Sequence, residues 1–137
     1  GKKIIFTSNR SGTPQIYEMT ISNGKIRRKT FEGTYNARAR YTPDGRSFVF
    51  VHRRDKLFHI AVQSLRTAKL QILTDTRLDE SPTISPNGKV IIYATKEKEK
   101  DILAGISIDG KTRFTLPTSS GGVREPNWSP LLVSTSN

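Results

Sequence analysis

Tyr41-Thr42-Pro43-Asp44-Gly45 decides how this chain is read, because the stretch comes back. It returns as Ile84-Ser85-Pro86-Asn87-Gly88 and, shortened, as Trp128-Ser129-Pro130. The three prolines stand at 43, 86 and 130, steps of 43 and 44 residues. Each full copy is followed by a basic residue and an apolar run: Arg46 then Phe48-Val49-Phe50-Val51, and Lys89 then Val90-Ile91-Ile92-Tyr93. The chain opens in the same register with Gly1-Lys2-Lys3 and Ile4-Ile5-Phe6. Ile16, Ile60 and Leu103 keep the step, as do Thr30, Thr74 and Pro117. Pro82 and Pro126 keep it too, with Ala39 where the first copy would place that proline. A period of roughly 40–50 residues is the mark of a repeat architecture.

Each cycle divides into four short apolar segments, A to D. Pro, Asp and Gly at successive turn positions specify a type I turn between A and B. Segment B is the continuous run after that turn, which predicts a strand buried on both faces; the opening run Ile4-Ile5-Phe6 reads the same way. Segment C surrounds Ile16, Ile60 or Leu103, and D is Lys25 to Thr30, Leu70 to Thr74 or Thr112 to Leu116. Ser22-Asn23-Gly24 reads as a hairpin turn using positive φ, and 31–37 as a loop leading to an A segment at Arg38-Ala39-Arg40-Tyr41. The charge run Lys96-Glu97-Lys98-Glu99-Lys100-Asp101 reads as a solvated hairpin tip. Helical periodicity of useful length is absent. Four short strands per cycle are the content of a β-propeller blade. The expected fold is therefore all-β: a propeller segment of about three four-stranded blades, with WD40-like repeat units near 1–42, 43–85 and 86–129. The repeats run to 132, with a closing strand within 123–130 and a polar tail at 133–137.

The composition narrows the chemistry. The chain carries 23 Lys+Arg against 12 Asp+Glu, a net charge of +11. The excess is lopsided: residues 1–60 hold 13 basic against 4 acidic residues, residues 61–137 hold 10 against 8. A basic half can serve nucleic acid or an acidic partner, although these residues are spread over several turns. No cysteine is present, which excludes a disulfide framework, a thiol nucleophile and a Cys-ligated zinc site. No apolar run is long enough to span a membrane as a helix. His52 and His59 are the only histidines and read as structural or surface groups. No Gly-x-Ser-x-Gly elbow and no phosphate-binding glycine loop occurs. Asp79-Glu80 is an acid pair, but neighbours on a strand point to opposite faces, which speaks against joint acid–base work. A cation in a propeller channel stays open, and no cofactor is called for.

Several stretches together resemble the TolB family. They are Ile5-Phe6-Thr7-Ser8-Asn9-Arg10, Arg28-Lys29-Thr30-Phe31-Glu32-Gly33, Leu78-Asp79-Glu80-Ser81-Pro82, Ile106-Ser107-Ile108-Asp109-Gly110 and Pro126-Asn127-Trp128-Ser129-Pro130. The likeness covers about residues 1–132 and departs from the family at Ala39 and Tyr41, where Pro and Trp are usual. It implies the last half of a six-bladed ring, with an N-terminal domain, signal peptide and first blades outside this sequence. It implies a non-catalytic periplasmic component of the Tol-Pal envelope system. In the family, the lipoprotein Pal and colicin segments dock at the channel mouth, and other Tol proteins bind through the N-terminal region. The mouth is formed by loops leading into the A strands. The matching positions here are Tyr35, Asn36, Ala37 and Arg38; Leu78, Asp79, Glu80 and Ser81; and Val123, Arg124 and Glu125. Two other readings stand beside this one. One is a propeller gating a serine peptidase; the other is a nucleic-acid binder using Tyr35 and Tyr41 among Arg38 and Arg40.

The strand order reads B-C-D, A-B-C-D, A-B-C-D, A. A segment one strand late at the start and one over at the end leaves two open blade edges. Two copies exchanging the strand at 123–128 would close a six-bladed ring, so a homodimer is expected.

Overall fold

A computed structural model describes residues 1–116 of the 137. The closing strand expected at 123–128, the Trp128-Ser129-Pro130 repeat and the strand exchange lie outside the described residues. The described residues form eleven strands in three antiparallel sheets in chain order. β1 (Lys3–Ser8), β2 (Gln15–Thr20) and β3 (Ile26–Arg28) make the first. β4 (Asn36–Tyr41), β5 (Ser47–Arg54), β6 (Leu57–Ser64) and β7 (Leu70–Thr76) make the second. β8 (Thr83–Ile84), β9 (Val90–Glu97), β10 (Lys100–Ser107) and β11 (Arg113–Leu116) make the third. Each is an up-and-down meander, the content of a propeller blade.

The middle blade shows why the B segments are continuously apolar. Successive side chains on β5 point to opposite faces. Phe48 and Phe50 pack with Ile16 and Ala61 toward the first blade. Val49 and Val51 pack with Ile91, Tyr93, Ala104 and Ile106 toward the third. All four β5 residues are fully buried, and complete burial of such a side chain stabilises by roughly 1.5–3 kcal/mol. β1 departs from the same expectation. Ile4 is 44% exposed, and Ile5 and Phe6 are only half-buried. Among the described residues β1 is an edge strand, paired with β2 alone.

The repeated turn stretches share one hydrogen-bond pattern. In the first, the Gly45 amide donates to Thr42 O at 2.8 Å, the Arg46 amide to Asp44 Oδ1 at 2.9 Å, and the Ser47 amide to Thr42 Oγ1 at 3.1 Å. Ser85, Asn87 and Val90 repeat it at 2.8, 3.0 and 3.1 Å. The C–D turn at Ser107-Ile108-Asp109-Gly110 repeats it again, at 2.8, 3.0 and 3.0 Å. Gly45, Gly88 and Gly110 hold φ of 71°, 74° and 77°, the left-handed region glycine enters without a Cβ penalty. The amides of Ile21, Leu65 and Ile108 donate to the carbonyls of Lys2, Arg46 and Lys89 at 3.0, 2.9 and 2.9 Å. The sequence period is thus a period of backbone bonding.

The hairpin tips differ in part from expectation. Lys98 and Glu99 have φ of 50° and 65°, so they alone form a two-residue tip of the I′ kind while the rest of the charge run lies on β9 and β10, and Asp55-Lys56 (51° and 71°) is their counterpart. At Asn23-Gly24 only Gly24 has positive φ, and its amide donates to Thr20 O at 2.8 Å. That turn is a wider loop and not the two-residue Asn-Gly hairpin. Gly105 lies directly under Phe114, its partner in register, whose ring would come within 2.2 Å of an added Cβ. The ring fills the gap that glycine leaves in β10.

Candidate partner-binding rim

The rim is built where one blade hands over to the next. The loop between β3 and β4 is fixed from below by buried polar groups. Thr30 Oγ1 donates to Gln15 Oε1 at 2.7 Å and accepts from the Ile16 amide at 3.0 Å. Asn36 Nδ2 donates to Gln15 Oε1 at 2.9 Å and to Glu32 O at 2.8 Å. His52 Nδ1 sits 2.6 Å from Asn36 Oδ1. Gln15, Thr30, Asn36 and His52 are at most 1% exposed, and each is satisfied, as burial of polar groups demands. Gly33 crosses above His52 with φ of 77°; a Cβ there would stand 3.0 Å from the imidazole Cε1.

This network changes the placement of two rim candidates. β4 begins at Asn36, earlier than the A segment expected from Arg38, so Asn36 and Ala37 lie on the strand. Asn36 is completely buried and Ala37 is 4% exposed. Both support the rim from inside, and their side chains do not face solvent.

Tyr35, Arg38 and Asp79 come together above them. The Tyr35 hydroxyl donates to Asp79 Oδ2, although the two residues are 44 apart and occupy equivalent places in adjacent blades. Tyr35 also meets Phe58 edge-on, ring centres 5.7 Å apart. Burial first, and then the Asp79 carboxylate, push the phenol up to about 12, so it stays a donor at any ordinary pH. Arg38 has φ of 60° at a bulge, where the β4–β5 register slips between Ala37 and Arg40. Its amide donates to Thr7 Oγ1 at 3.3 Å, and its Nε lies 3.6 Å from Asp79 Oδ1. A non-glycine residue in this region is uncommon. Here the bulge aims an exposed guanidinium across to the next blade.

The second loop is looser. Residues 78–81 precede the two-residue β8 and belong to no strand, so the expectation that Asp79 and Glu80 alternate across a sheet does not hold. Leu78, Asp79, Glu80 and Ser81 are all half-buried. Val123, Arg124 and Glu125 lie outside the described residues. The β5–β6 tip joins the rim through the Arg53 amide, which donates to Tyr35 O at 3.0 Å, and the Arg53 guanidinium lies over Phe58 at 5.8 Å. Sequence reasoning named Tyr35, Arg38 and Asp79 but not their mutual contact. It missed Gln15, Thr30 and His52 as the support. The equal spacing of Tyr35 and Asp79 was the available signal, and only the blade packing turns that spacing into a bond.

His52 and His59 are register partners with ring centres 6.4 Å apart. His59 Nδ1 lies 2.8 Å from Asp75 Oδ1. One ring is locked to Asn36 and the other faces Asp75, so the two do not converge on a shared reacting atom.

Comparison with known proteins agrees with the propeller fold. The model of the family described as TolB beta propeller domain matches residues 1–132. The Tol-Pal system protein TolB of Nitrosospira multiformis is 48% identical over 118 residues, 84% of this chain and 27% of that protein. That of Pseudomonas aeruginosa is 46% identical over 104 residues, 74% of this chain and 24% of that protein. The crystal structure of TolB from Acinetobacter baumannii superposes with a TM-score of 0.86 at 45% identity, covering 91% of this chain and 32% of that one. The chain spans about a quarter of the length of these curated relatives.

Proposed function

From the TolB beta propeller domain family, to which this chain belongs, we propose a non-catalytic, protein-docking propeller of a periplasmic Tol-Pal system. Its relatives carry the name Tol-Pal system protein TolB. The docked partner is a Pal-like lipoprotein, and colicin segments use the same mouth. The rim of Tyr35, Arg38, Asp79 and Glu80 receives it, on the side where the β3–β4 and β7–β8 loops meet.

One observation carries this reading: Arg38 is held at positive φ by a bulge and reaches Asp79 across the blade boundary. Sparsely populated backbone conformations persist where the surroundings over-determine them, and they gather at binding sites. With its Arg38 end about half exposed, the ion pair contributes about 1 kcal/mol to stability, too little to explain the bulge by folding alone. The pair instead presents a cation, an anion and a phenol hydroxyl together, a set suited to charge-assisted hydrogen bonds with a partner of mixed charge.

Arg38→Glu and Glu80→Lys in the full chain test it by calorimetric titration with the lipoprotein. Each reversal is expected to weaken binding by about tenfold or more, the scale of a lost charged hydrogen bond. The melting temperature should stay nearly unchanged in Arg38→Glu, an exposed substitution, and fall only slightly in Glu80→Lys, where the side chain is half-buried. Full affinity in both variants would place the docking site elsewhere.

A further inference from the structure

The two ends of the blades differ in charge. In each meander the A–B and C–D turns lie at one end and the B–C tip at the other. Contacts between neighbours put the turn ends on one face: an added Cβ at Gly88 would touch Pro43, and one at Gly110 would touch Leu73. That face carries an exposed cation in phase in every repeat, Lys2, Arg46 and Lys89, each on the carbonyl that closes the B–C pairing. The C–D turns add Lys25, Arg66, Lys69 and Lys111, all exposed. The acids among these turns, Asp44 and Asp109, accept from the amides of Arg46 and Lys111 and from the hydroxyls of Thr42 and Ser107. The opposite end, with the rim, mixes signs, as in Lys96-Glu97-Lys98-Glu99-Lys100-Asp101 and in Arg53, Arg54, Asp55 and Lys56 beside Asp79 and Glu80.

We propose that the face formed by the A–B and C–D turns docks on an anionic lipid surface, with the rim turned away from it. Three features select that occupant. The cations are spread over the turn tips of three blades, with Arg66 and Lys69 sharing one of them, which fits a broad field of charge and not a groove. Five of the seven are lysines, compact point charges, where bidentate recognition of single phosphates favours arginine. Ile21, on the first C–D turn, is 51% exposed beside Lys25 and offers an apolar tip to the acyl boundary. Nucleic acid would call for stacking aromatics among the cations. Tyr41, the aromatic the sequence offers for stacking, is half-buried with its hydroxyl tied to Glu18 Oε2 at 2.8 Å.

The test is co-sedimentation of the full chain with phosphatidylcholine vesicles, with and without phosphatidylglycerol. Binding is expected only with the anionic lipid, falling as salt rises. Each cation near such a surface changes partitioning by roughly fivefold. The triple variant Lys25→Glu, Lys69→Glu, Lys111→Glu should therefore lose well over tenfold, and Ile21→Ser should lose a smaller factor. A matched triple on the other face, Lys56→Glu, Lys98→Glu, Lys100→Glu, should keep the affinity, with circular dichroism unchanged in both. Equal loss in the two triples overturns the proposal, as does failure to bind anionic vesicles at low salt. So does tighter binding of single-stranded RNA or polyglutamate through the same lysines. The reversals at Arg38 and Glu80 leave this binding unchanged, so the rim reading and this one fail separately.

Discussion

His52 is a buried base held neutral. Burial pushes its imidazole below the usual 6.5, Arg54 and His59 push the same way, and Glu32 opposes them. A folded state that holds this ring neutral binds fewer protons than the open chain. Its contribution is therefore complete above the unfolded value of 6.5 and shrinks as pH falls below it. Glu18 acts in a separate window. Its burial raises the carboxyl, but the Tyr41 hydroxyl, Lys29 and Lys3 outweigh it and hold the group below its usual 4.5. Its contribution is lost only as pH falls below that value. Urea midpoints should thus decline between about pH 7 and about pH 5, and His52→Gln should flatten that decline while lowering stability overall. A midpoint equally pH-dependent in the variant would remove His52 from the account. At this scale the sequence showed little. Two lone histidines read as structural groups, but nothing in the chain links His52 to Asn36, 16 residues away.

Strands and turns were far more legible, because their signals are local. Pro-Asp-Gly and Pro-Asn-Gly specify their turns through fixed φ, a side-chain acceptor and a positive-φ glycine. The charge run at 96–101 read as a hairpin tip because it separates two apolar strands. The bulge at Arg38 and the early start of β4 were not legible. Both depend on Thr7 and Asn36 meeting groups from other strands, which no local propensity encodes. The half-exposed Ile4 has the same cause: an apolar run says that a strand can be covered, not that a neighbour covers it. The tips yield a prediction. Asp55 and Lys56 both occupy the left-handed region, which costs a non-glycine residue roughly 1–2 kcal/mol. Lys56→Gly should raise the urea midpoint by an amount worth up to about 1 kcal/mol, less the entropy glycine adds to the open chain, with an unchanged denaturant slope. A lowered midpoint would show that the Lys56 side chain holds the tip.

For the molecule as a whole, the period gave the architecture and the blade packing gave the rim. Repeat proteins bury their cores between neighbours, and the two clusters on either face of β5 show this directly. The same packing separates two faces that the net charge of +11 blends into one number. On the proposed reading, the partner docks on the rim at the blade junctions. Hydrogen–deuterium exchange on adding the Pal-like lipoprotein tests it most directly. Protection is expected at 31–38, at 53–57 and at 77–81, with the turns at 42–46, 85–89 and 107–111 unchanged. Protection confined to those turns, with the rim unaffected, would contradict it.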